Sequence, residues 1–158
     1  MNAIFLLIIL LPLLLLAAGQ AGLLRGAAPS LGVRDGKLKP PSKTPNSVSS
    51  QAALWPDYPQ LSYAAIEPLR YSGDAAVAMQ RLVNVLHKLP RTRVVIQEPD
   101  YIYAQCSTAW LHFTDDVEFL LDARASVIHL RSSSRLGRRD FGVNRARVEA
   151  IRTQFAAV

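Results

Sequence analysis

The hydrophobic pattern divides the chain into an apolar segment, a polar connector and a patterned domain. Residues 3–24 are apolar almost without interruption, whereas residues 25–50 are rich in Pro, Gly, Ser and Lys and show no sustained period. Residues 51–158 contain segments with helical and with strand periodicity, so we expect one folded domain there.

Two segments of this domain have the 3.6-residue period of amphipathic helices. The first begins after Asp74, a good N-cap, and ends before Pro90. The second begins at Asn144, its expected N-cap, with Val143 and Val148 placed to form a hydrophobic staple. The predicted buried stripes are Ala75, Ala78, Met79, Leu82, Val85, Leu86 and Leu89 in the first helix and Val148, Ile151 and Phe155 in the second.

Strand patterns fill the interval between the two helices. An apolar run over residues 61–71 comes first, and Pro68 limits it to an edge strand. After "RVVIQ" and a turn over residues 98–100, "YIYAQC" and "AWLHFT" are predicted to pair through a tight turn at Ser107 and Thr108. A second turn at "DARA" joins the last two strands of this meander.

The pairing of the last two strands is predicted from the alternation on either side of "DARA". One register places Asp116 opposite Arg131 on the polar face. The same register puts Asp115 on the apolar face opposite Ser132, where an apolar residue is expected. The predicted fold class is therefore α+β, with an antiparallel sheet of four to five strands and two helices packed on one face, preceded by an N-terminal membrane helix.

The expected domain limits are residues 1–24 for a transmembrane anchor or signal segment, 25–50 for an extended tether and 51–158 for the α+β domain. About 20 apolar residues suffice for a helix to span a bilayer. Gly19 and Ala21 would suit cleavage of a signal peptide, but no basic residue precedes the apolar run. We therefore favour a retained single-pass anchor in the cell membrane over a cleaved signal.

The net charge of +6 is unevenly distributed along the chain. Residues 44–158 carry only +2, with −3 over residues 44–130 and +5 over residues 131–158. Aromatic residues are not interleaved with the arginines of the last segment, so we expect a polarised domain and no nucleic-acid partner.

The stretch "RSSSRLGRRDFGVNR" is the candidate polar site. Arg145 stands in the first turn of the predicted helix, where a cation is unfavourable unless an anion is near. Asp115 could supply that charge, so we expect the two to pair in a buried network; the alternatives are a bound anion or a solvated face. The residues assigned to this ligand site or network are Asp115, Asp116, Arg131, Ser132, Ser134, Arg135, Asp140, Asn144 and Arg145.

Other polar residues give weaker indications of chemistry. Asp115 and Asp116 are adjacent in a strand and point to opposite faces, so they do not form a catalytic pair. Cys106 falls on the apolar face, and the three histidines are not spaced as metal ligands. We predict no catalytic residue, no metal and no cofactor, and a hydrolase using Asp115 with Ser132 is the least favoured alternative.

The stretches "TPNSVSSQA", "DYIYAQCSTAWLHFTDDVEF" and "VIHLRSSSRLGRRDFGVNRARVEAIR" resemble the domain of unknown function 1499 family, from about Gly32 to Arg152. The family occurs in bacteria and plants, and the resemblance implies no established activity. Relatives often have cysteine at the positions of Pro41 and Ser47, which implies a disulfide in those relatives and an oxidising compartment. The five basic residues that follow the apolar segment predict a cytoplasmic domain instead. On balance we expect the extracytoplasmic side.

The function predicted from the sequence is a membrane-anchored, non-catalytic module that binds a small anionic or amphipathic ligand, such as a lipid-like molecule, between the sheet and the C-terminal helix. The alternative is an interaction domain that docks on a membrane protein through its polar sheet face, exposing Tyr101, Tyr103 and Trp110. Contact with the membrane is assigned to residues 4–24.

Overall fold

The computed structural model describes residues 3–157 of the chain. A six-stranded antiparallel sheet forms its centre, and a single 3-10 turn at Ala52–Leu54 follows the first strand. The elements in chain order are α1 (Ala3–Gln20), β1 (Ser47–Ser49), α2 (Leu61–Ala64), β2 (Leu69–Arg70), α3 (Ala75–Lys88), β3 (Thr92–Gln97), β4 (Tyr101–Ser107), β5 (Thr114–Asp122), β6 (Val127–Ser134) and α4 (Val143–Ala156).

The sheet has the strand order β1-β6-β5-β4-β3, and β2 pairs with a second stretch of β6. The α+β class and the antiparallel sheet are confirmed, but there are six strands instead of four to five. The additional strand is β1, which comes from the segment predicted to be a tether. Its central residue, Val48, is completely buried against the core, which explains why so short a strand is held.

Both predicted amphipathic helices are present and pack on the same face of the sheet. Asp74 caps α3 by accepting the N–H of Val77 at 2.9 Å, as expected from its position. The core between sheet and helices contains Ala78, Leu82 and Leu86 from α3, Val148, Ile151 and Phe155 from α4, and Ile102, Ala104, Val117, Phe119, Ile128 and Leu130 from the strands.

The N-terminus of α4 differs from the sequence prediction. Asp140, and not Asn144, supplies the capping carboxylate: its Oδ2 accepts the N–H of Asn144 at 3.0 Å. Gly142 has a φ of 84°, a left-handed conformation that brings Asp140 back over the first turn of the helix. Val143 is exposed, so the predicted hydrophobic staple does not form.

The register between β5 and β6 is shifted by two residues from the prediction. Arg131 lies opposite Glu118 instead of Asp116, and Asp115 lies opposite Ser134 instead of Ser132. A shift of two keeps every side chain on its predicted face. The cause is the turn: Asp122 accepts two backbone N–H groups within it and closes four residues, 123–126, where a tighter turn was expected.

The predicted strand "AWLHFT" is wrong, because residues 108–113 form a loop between β4 and β5. Thr108 closes this loop twice, since its N–H donates to the carbonyl of Phe113 and its Oγ1 accepts the N–H of Phe113. β4 consequently pairs with residues further along the chain, and Cys106 faces Asp115. Trp110 lies in the loop and is 74% exposed.

The N-terminal apolar segment is helical up to Gln20, and the helix ends before Leu24, the predicted limit of the span. Among the described residues, we find no helix with both the length and the apolarity that crossing a membrane requires. The structure therefore gives no support to the predicted transmembrane helix.

Residues 31–40, which we call the strap, lie across the sheet face opposite α3 and α4. Leu38 is buried there and packs in a cluster with Tyr101, Tyr103, Leu120 and the half-buried Leu31. The strap covers the polar face of the sheet, so the docking surface predicted around Tyr101 and Tyr103 is occupied by the chain itself.

Candidate functional site

Eight of the nine predicted site residues lie in two polar networks on opposite faces of the sheet, and the ninth, Arg145, lies outside both. The inner network, between the sheet and α4, consists of Asp115, Ser132, Ser134, Asp140, Asn144 and Arg147. The outer network, beneath or beside the strap, consists of Tyr101, Tyr103, Asp116, Glu118, Arg131 and Arg135. The sequence reasoning missed both tyrosines, Glu118 and Arg147 as members of these networks.

Asp115 is the carboxylate that stands on the apolar face, and its partner is Arg147. The two side chains form a nearly buried ion pair through Asp115 Oδ2 and Arg147 Nη2. Arg147 Nη1 also donates to Ser132 Oγ at 3.1 Å and to Asn144 Oδ1 at 2.8 Å. The predicted pairing of Asp115 with Arg145 is therefore wrong, although the expected arginine partner exists two residues further along α4.

Asn144 is the centre of the inner network and is completely buried. Its side-chain Nδ2 donates to Asp140 Oδ2 at 2.7 Å and to Ser134 Oγ at 3.0 Å, and its Oδ1 accepts a hydrogen bond from the hydroxyl of Ser132 at 2.6 Å. Burial alone would raise the pKa of Asp140, but hydrogen bonds from Tyr63, Asn144 and Gly142 outweigh it and lower the pKa below its ordinary value. The group is thus held as a carboxylate.

Asp116 anchors one half of the outer network. Arg135 binds it in the bidentate manner, with Nε at 2.9 Å from Oδ2 and Nη2 at 2.8 Å from Oδ1. The hydroxyl of Tyr103 donates to the same carboxylate at 2.6 Å. Burial, reinforced by the hydrogen bond to Asp116, raises the pKa of Tyr103, so this hydroxyl stays a donor.

Glu118 anchors the other half and is completely buried under the strap. Its Oε1 accepts the hydroxyl of Tyr101 and the backbone N–H of Gly32, both at 2.9 Å, and its Oε2 lies 3.5 Å from Arg131 Nη1. Burial lowers the pKa of Arg131 despite the nearby carboxylates, and burial together with Glu118 raises the pKa of Tyr101. Arg131 Nε also donates to the carbonyl of Pro40, which ties the strap to the sheet.

Arg145 lies apart from the carboxylates with which it was expected to pair. Its Nη2 donates to the backbone carbonyls of Tyr63 at 2.7 Å and Ala65 at 2.8 Å. Carbonyl dipoles thus supply the negative potential that a cation in the first turn of α4 requires. The arginine connects α4 with the C-terminal end of α2.

Most polar groups of the two networks are bound by other members, although Glu118 Oε2 is buried without a hydrogen bond. Each carboxylate accepts a charged or hydroxyl donor of the chain, and Ser132 is bonded to Asn144 and Arg147. A carboxylate bound by arginine is a poor general base. The networks therefore stabilise the fold, and the geometry does not favour hydrolysis by Asp115 with Ser132.

A different group of basic residues surrounds an open pocket of about 470 Å³ at the free edge of the sheet. We call it the arginine pocket. One wall of this pocket comes from β3, which contains Arg93, and from the turn just before it, where Arg91 has a φ of 54°. Its lining residues are Arg25, Arg91, Thr92, Arg93, Gln105, Ser107, His112 and Thr114.

The arginines of this pocket are held by neutral oxygen atoms. Arg93 Nη2 donates to Gln105 Oε1 at 3.0 Å, and Arg91 Nε donates to the carbonyl of Ser107 at 3.2 Å. Among the described residues, neither these two nor Arg25 lies within ion-pair distance of a carboxylate. Each guanidinium keeps most of its five N–H donors for another partner.

Only part of this pocket had a signal in the sequence. Arg93 begins the predicted strand "RVVIQ", whereas Arg91 lies before it in a left-handed turn that strand alternation does not predict. Arg25 comes from the connector and His112 from a loop that was predicted as a strand, so their approach depends on tertiary structure.

Comparison with known proteins places residues 37–155 within a family model described as "Protein of unknown function (DUF1499)". Neither the curated proteins nor the solved structures contain a match to the chain. The matched region includes both networks and all of the arginine pocket except Arg25.

Proposed function

The chain belongs to the DUF1499 family, and we propose that this member is a non-catalytic module that binds a small anionic ligand in the arginine pocket. The observation that carries the proposal is the difference between two sets of arginines. Arg131, Arg135 and Arg147 are buried against carboxylates, whereas Arg91 and Arg93 line an open pocket and have neutral partners. A bound anion would supply the charge that the second set lacks.

Phosphate and carboxylate groups fit the geometry of this pocket. A guanidinium presents its donors as a planar fork that binds either group through two parallel hydrogen bonds. Gln105, Thr92 and Thr114 add neutral hydrogen-bonding groups to the same lining, and the volume is in the range of small-molecule sites. The ligand class is thus an oxyanion carried by a small molecule or head group.

The lining favours binding over catalysis. The described lining contains His112 and the hydroxyl groups of Thr92, Ser107 and Thr114, but no carboxylate or thiol. A hydroxyl becomes a nucleophile when a base lies within hydrogen-bond reach, and among the described residues no hydrogen bond joins His112 to one of these hydroxyls. We therefore assign His112 to hydrogen bonding toward the anion.

Thermal unfolding with and without inorganic phosphate tests the proposal. A ligand at about one hundred times its Kd stabilises the folded state by about 2.7 kcal/mol, which raises the midpoint by several degrees. We expect phosphate to stabilise the wild type in excess of an equal ionic strength of chloride. The double variant Arg91→Gln, Arg93→Gln should lose this excess.

The matched control is Arg70→Gln with Arg124→Gln, which removes the same charge from exposed positions at the opposite end of the sheet. It should respond to phosphate as the wild type does. Equal responses of the two double variants would overturn the proposal, because the effect would then reflect net charge alone.

A further inference from the structure

The end of the sheet that carries the arginine pocket also carries exposed apolar side chains. Four large apolar side chains from three separate segments are exposed there: Leu23 (75%), Trp110 (74%), Leu136 (43%) and Phe141 (87%). Contiguous exposed apolar groups on a soluble domain mark a surface that another apolar phase or molecule covers.

Close contacts tie these segments to the C-terminal end of α1. Gln20 Nε2 donates to the carbonyl of Trp110 at 3.0 Å. Gly19 approaches Leu111 so closely that an added Cβ would lie 2.7 Å from the Leu111 Cα, and Gly26 is similarly tight against Leu136. The loop after β4, the loop after β6 and the end of α1 therefore form one surface, which we call the apolar end.

Helix α1 continues this apolar surface away from the domain. Its side chains from Phe5 to Leu15 are largely exposed on all sides, with Leu7, Ile8 and Leu14 at 64% to 65%. A helix that is apolar all round is stable inside a protein core or among acyl chains, and the described part of the chain provides no core around it.

The arginine pocket lies directly beside this surface. Arg25 follows the end of α1 closely in the chain, and His112 follows Trp110 in the same loop. This order of side chains corresponds to the order of layers at a bilayer interface. The apolar side chains correspond to the acyl chains, the tryptophan to the interface and the arginines to the anionic phosphate groups.

We infer that the apolar end is a membrane-docking surface on which the arginine pocket binds the phosphate group of an anionic phospholipid. The inference rests on the proposed anion site and names the source of its anion. Acyl chains surround α1 and the exposed side chain of Trp110, while the head group meets Arg91, Arg93 and Arg25. The docking requires contact with the lipid and does not depend on a crossing of the bilayer.

Vesicle flotation of the full chain tests the inference. The probes are vesicles of phosphatidylcholine alone and vesicles with equal parts of phosphatidylcholine and phosphatidylglycerol. We expect wild-type protein to bind both through its apolar surface and to bind the anionic vesicles about tenfold more tightly or better. Arg91→Gln with Arg93→Gln should remove that preference.

Arg70→Gln with Arg124→Gln is again the matched control, because these residues lie at the end of the sheet remote from the pocket. It should retain the preference for anionic vesicles. The inference is overturned if wild type shows no preference, or if the two double variants lose it equally. If phosphate still stabilises the protein when the vesicle preference is absent, the proposed anion site holds and only the membrane docking is refuted. If neither the vesicle preference nor the stabilisation by phosphate is found, both the anion site and the membrane docking are refuted.

Tryptophan fluorescence reports contact with acyl chains directly and does not depend on the net charge of the protein. The chain has two tryptophans, so Trp55→Phe leaves Trp110 as the reporter. With vesicles that carry brominated acyl chains, we expect quenching and a blue shift of the Trp110 emission. Emission that stays unquenched and typical of water with bound vesicles would contradict the placement of the apolar end at the bilayer.

Discussion

At the level of single residues, neighbouring arginines of the domain bind different kinds of partner. Arg145 and Arg147 lie two positions apart in the first turns of α4 and make different contacts: the first binds backbone carbonyls, the second Asp115. Residues two positions apart in a helix lie on nearly opposite sides of its axis, so only Arg147 stands on the side of α4 that meets Asp115. The position of each arginine around the helix thus decides which one neutralises the buried carboxylate.

The Asp115 and Arg147 pair should be strongly coupled. Removing one partner leaves the other charge buried and unpaired, which costs about 3 to 5 kcal/mol. We expect Asp115→Ala and Arg147→Ala each to lower the free energy of unfolding by that order. The double variant should cost much less than the sum of the two, as measured by urea unfolding.

The control for this cycle is Arg138→Ala, a change at an exposed position of the loop before α4. Its effect should stay within about 0.5 kcal/mol. Additive losses in the Asp115 and Arg147 cycle would show that the pair is not coupled in solution.

Asp140 should make the stability of the fold depend on pH in the acidic range. Its pKa is lowered in the folded state from an ordinary value of 3.8, so the folded protein favours the ionised carboxylate. The resulting stabilisation is fully present above the unfolded pKa and disappears as the pH falls through the lower folded pKa.

The variant Asp140→Asn isolates this contribution. The difference in unfolding free energy between wild type and variant should be constant from pH 5 to pH 7 and should shrink below about pH 4. Denaturant unfolding at a series of pH values measures it. A difference that grows with falling pH would have the wrong sign and would refute the assigned role.

At the level of elements, the helices follow from local sequence patterns, whereas the register of the strands does not. The stripes of α3 and α4 follow from a period that each helix carries in its own sequence, and both helices form as predicted. Alternation likewise assigns Phe119 and Leu130 to the inner face, but it cannot distinguish registers that differ by two. The turn capped by Asp122 makes that choice.

The strap and the arginine pocket could not be predicted in the same way. Gly32, Leu38 and Pro40 lie in a stretch whose composition is typical of a linker, yet each contacts the sheet or residues beside it. Arg25 and Arg91 are far apart in sequence and meet only through the fold. Such contacts depend on tertiary packing, which composition and periodicity do not encode.

Leu38 should be the main apolar anchor of the strap. It is 2% exposed between Tyr101, Tyr103 and Leu120, so Leu38→Ala removes buried apolar contacts at a cost of about 2 to 3 kcal/mol. Hydrogen exchange should increase in residues 31–40 and beneath them. Val33→Ala, an exposed position in the same strap, should leave exchange unchanged. Equal exchange in the two variants would mean that Leu38 does not hold the strap.

At the scale of the whole molecule, the structure explains the uneven distribution of charge along the sequence. The basic segment 131–158 supplies an arginine to each of three carboxylates in the acidic segment 44–130, as Arg131 to Glu118, Arg135 to Asp116 and Arg147 to Asp115. The two segments thus neutralise each other within the fold. Arg25, Arg91 and Arg93 stay outside these pairs and form a basic group beside the apolar end.

The N-terminal 40 residues should therefore divide into a part that the fold does not need and a part that it does. Removing residues 1–20 deletes α1, whose described contacts with the domain are confined to its last turn near Trp110 and Leu111. Removing residues 1–40 also deletes the strap, and with it the N–H group bound to Glu118, the carbonyl bound to Arg131 and the side chain of Leu38. We expect the shorter deletion to change the free energy of unfolding by no more than about 1 kcal/mol. The longer deletion should cost several kcal/mol, because Glu118 and Arg131 lose polar partners while the apolar cluster opens to water.

Urea unfolding of the two shortened chains under one condition compares them directly, with the near-ultraviolet circular dichroism of the tyrosines as a check on the outer face. If both deletions were equally harmless, residues 31–40 would be an ordinary linker in solution; if both were equally damaging, α1 itself would be part of the folded core.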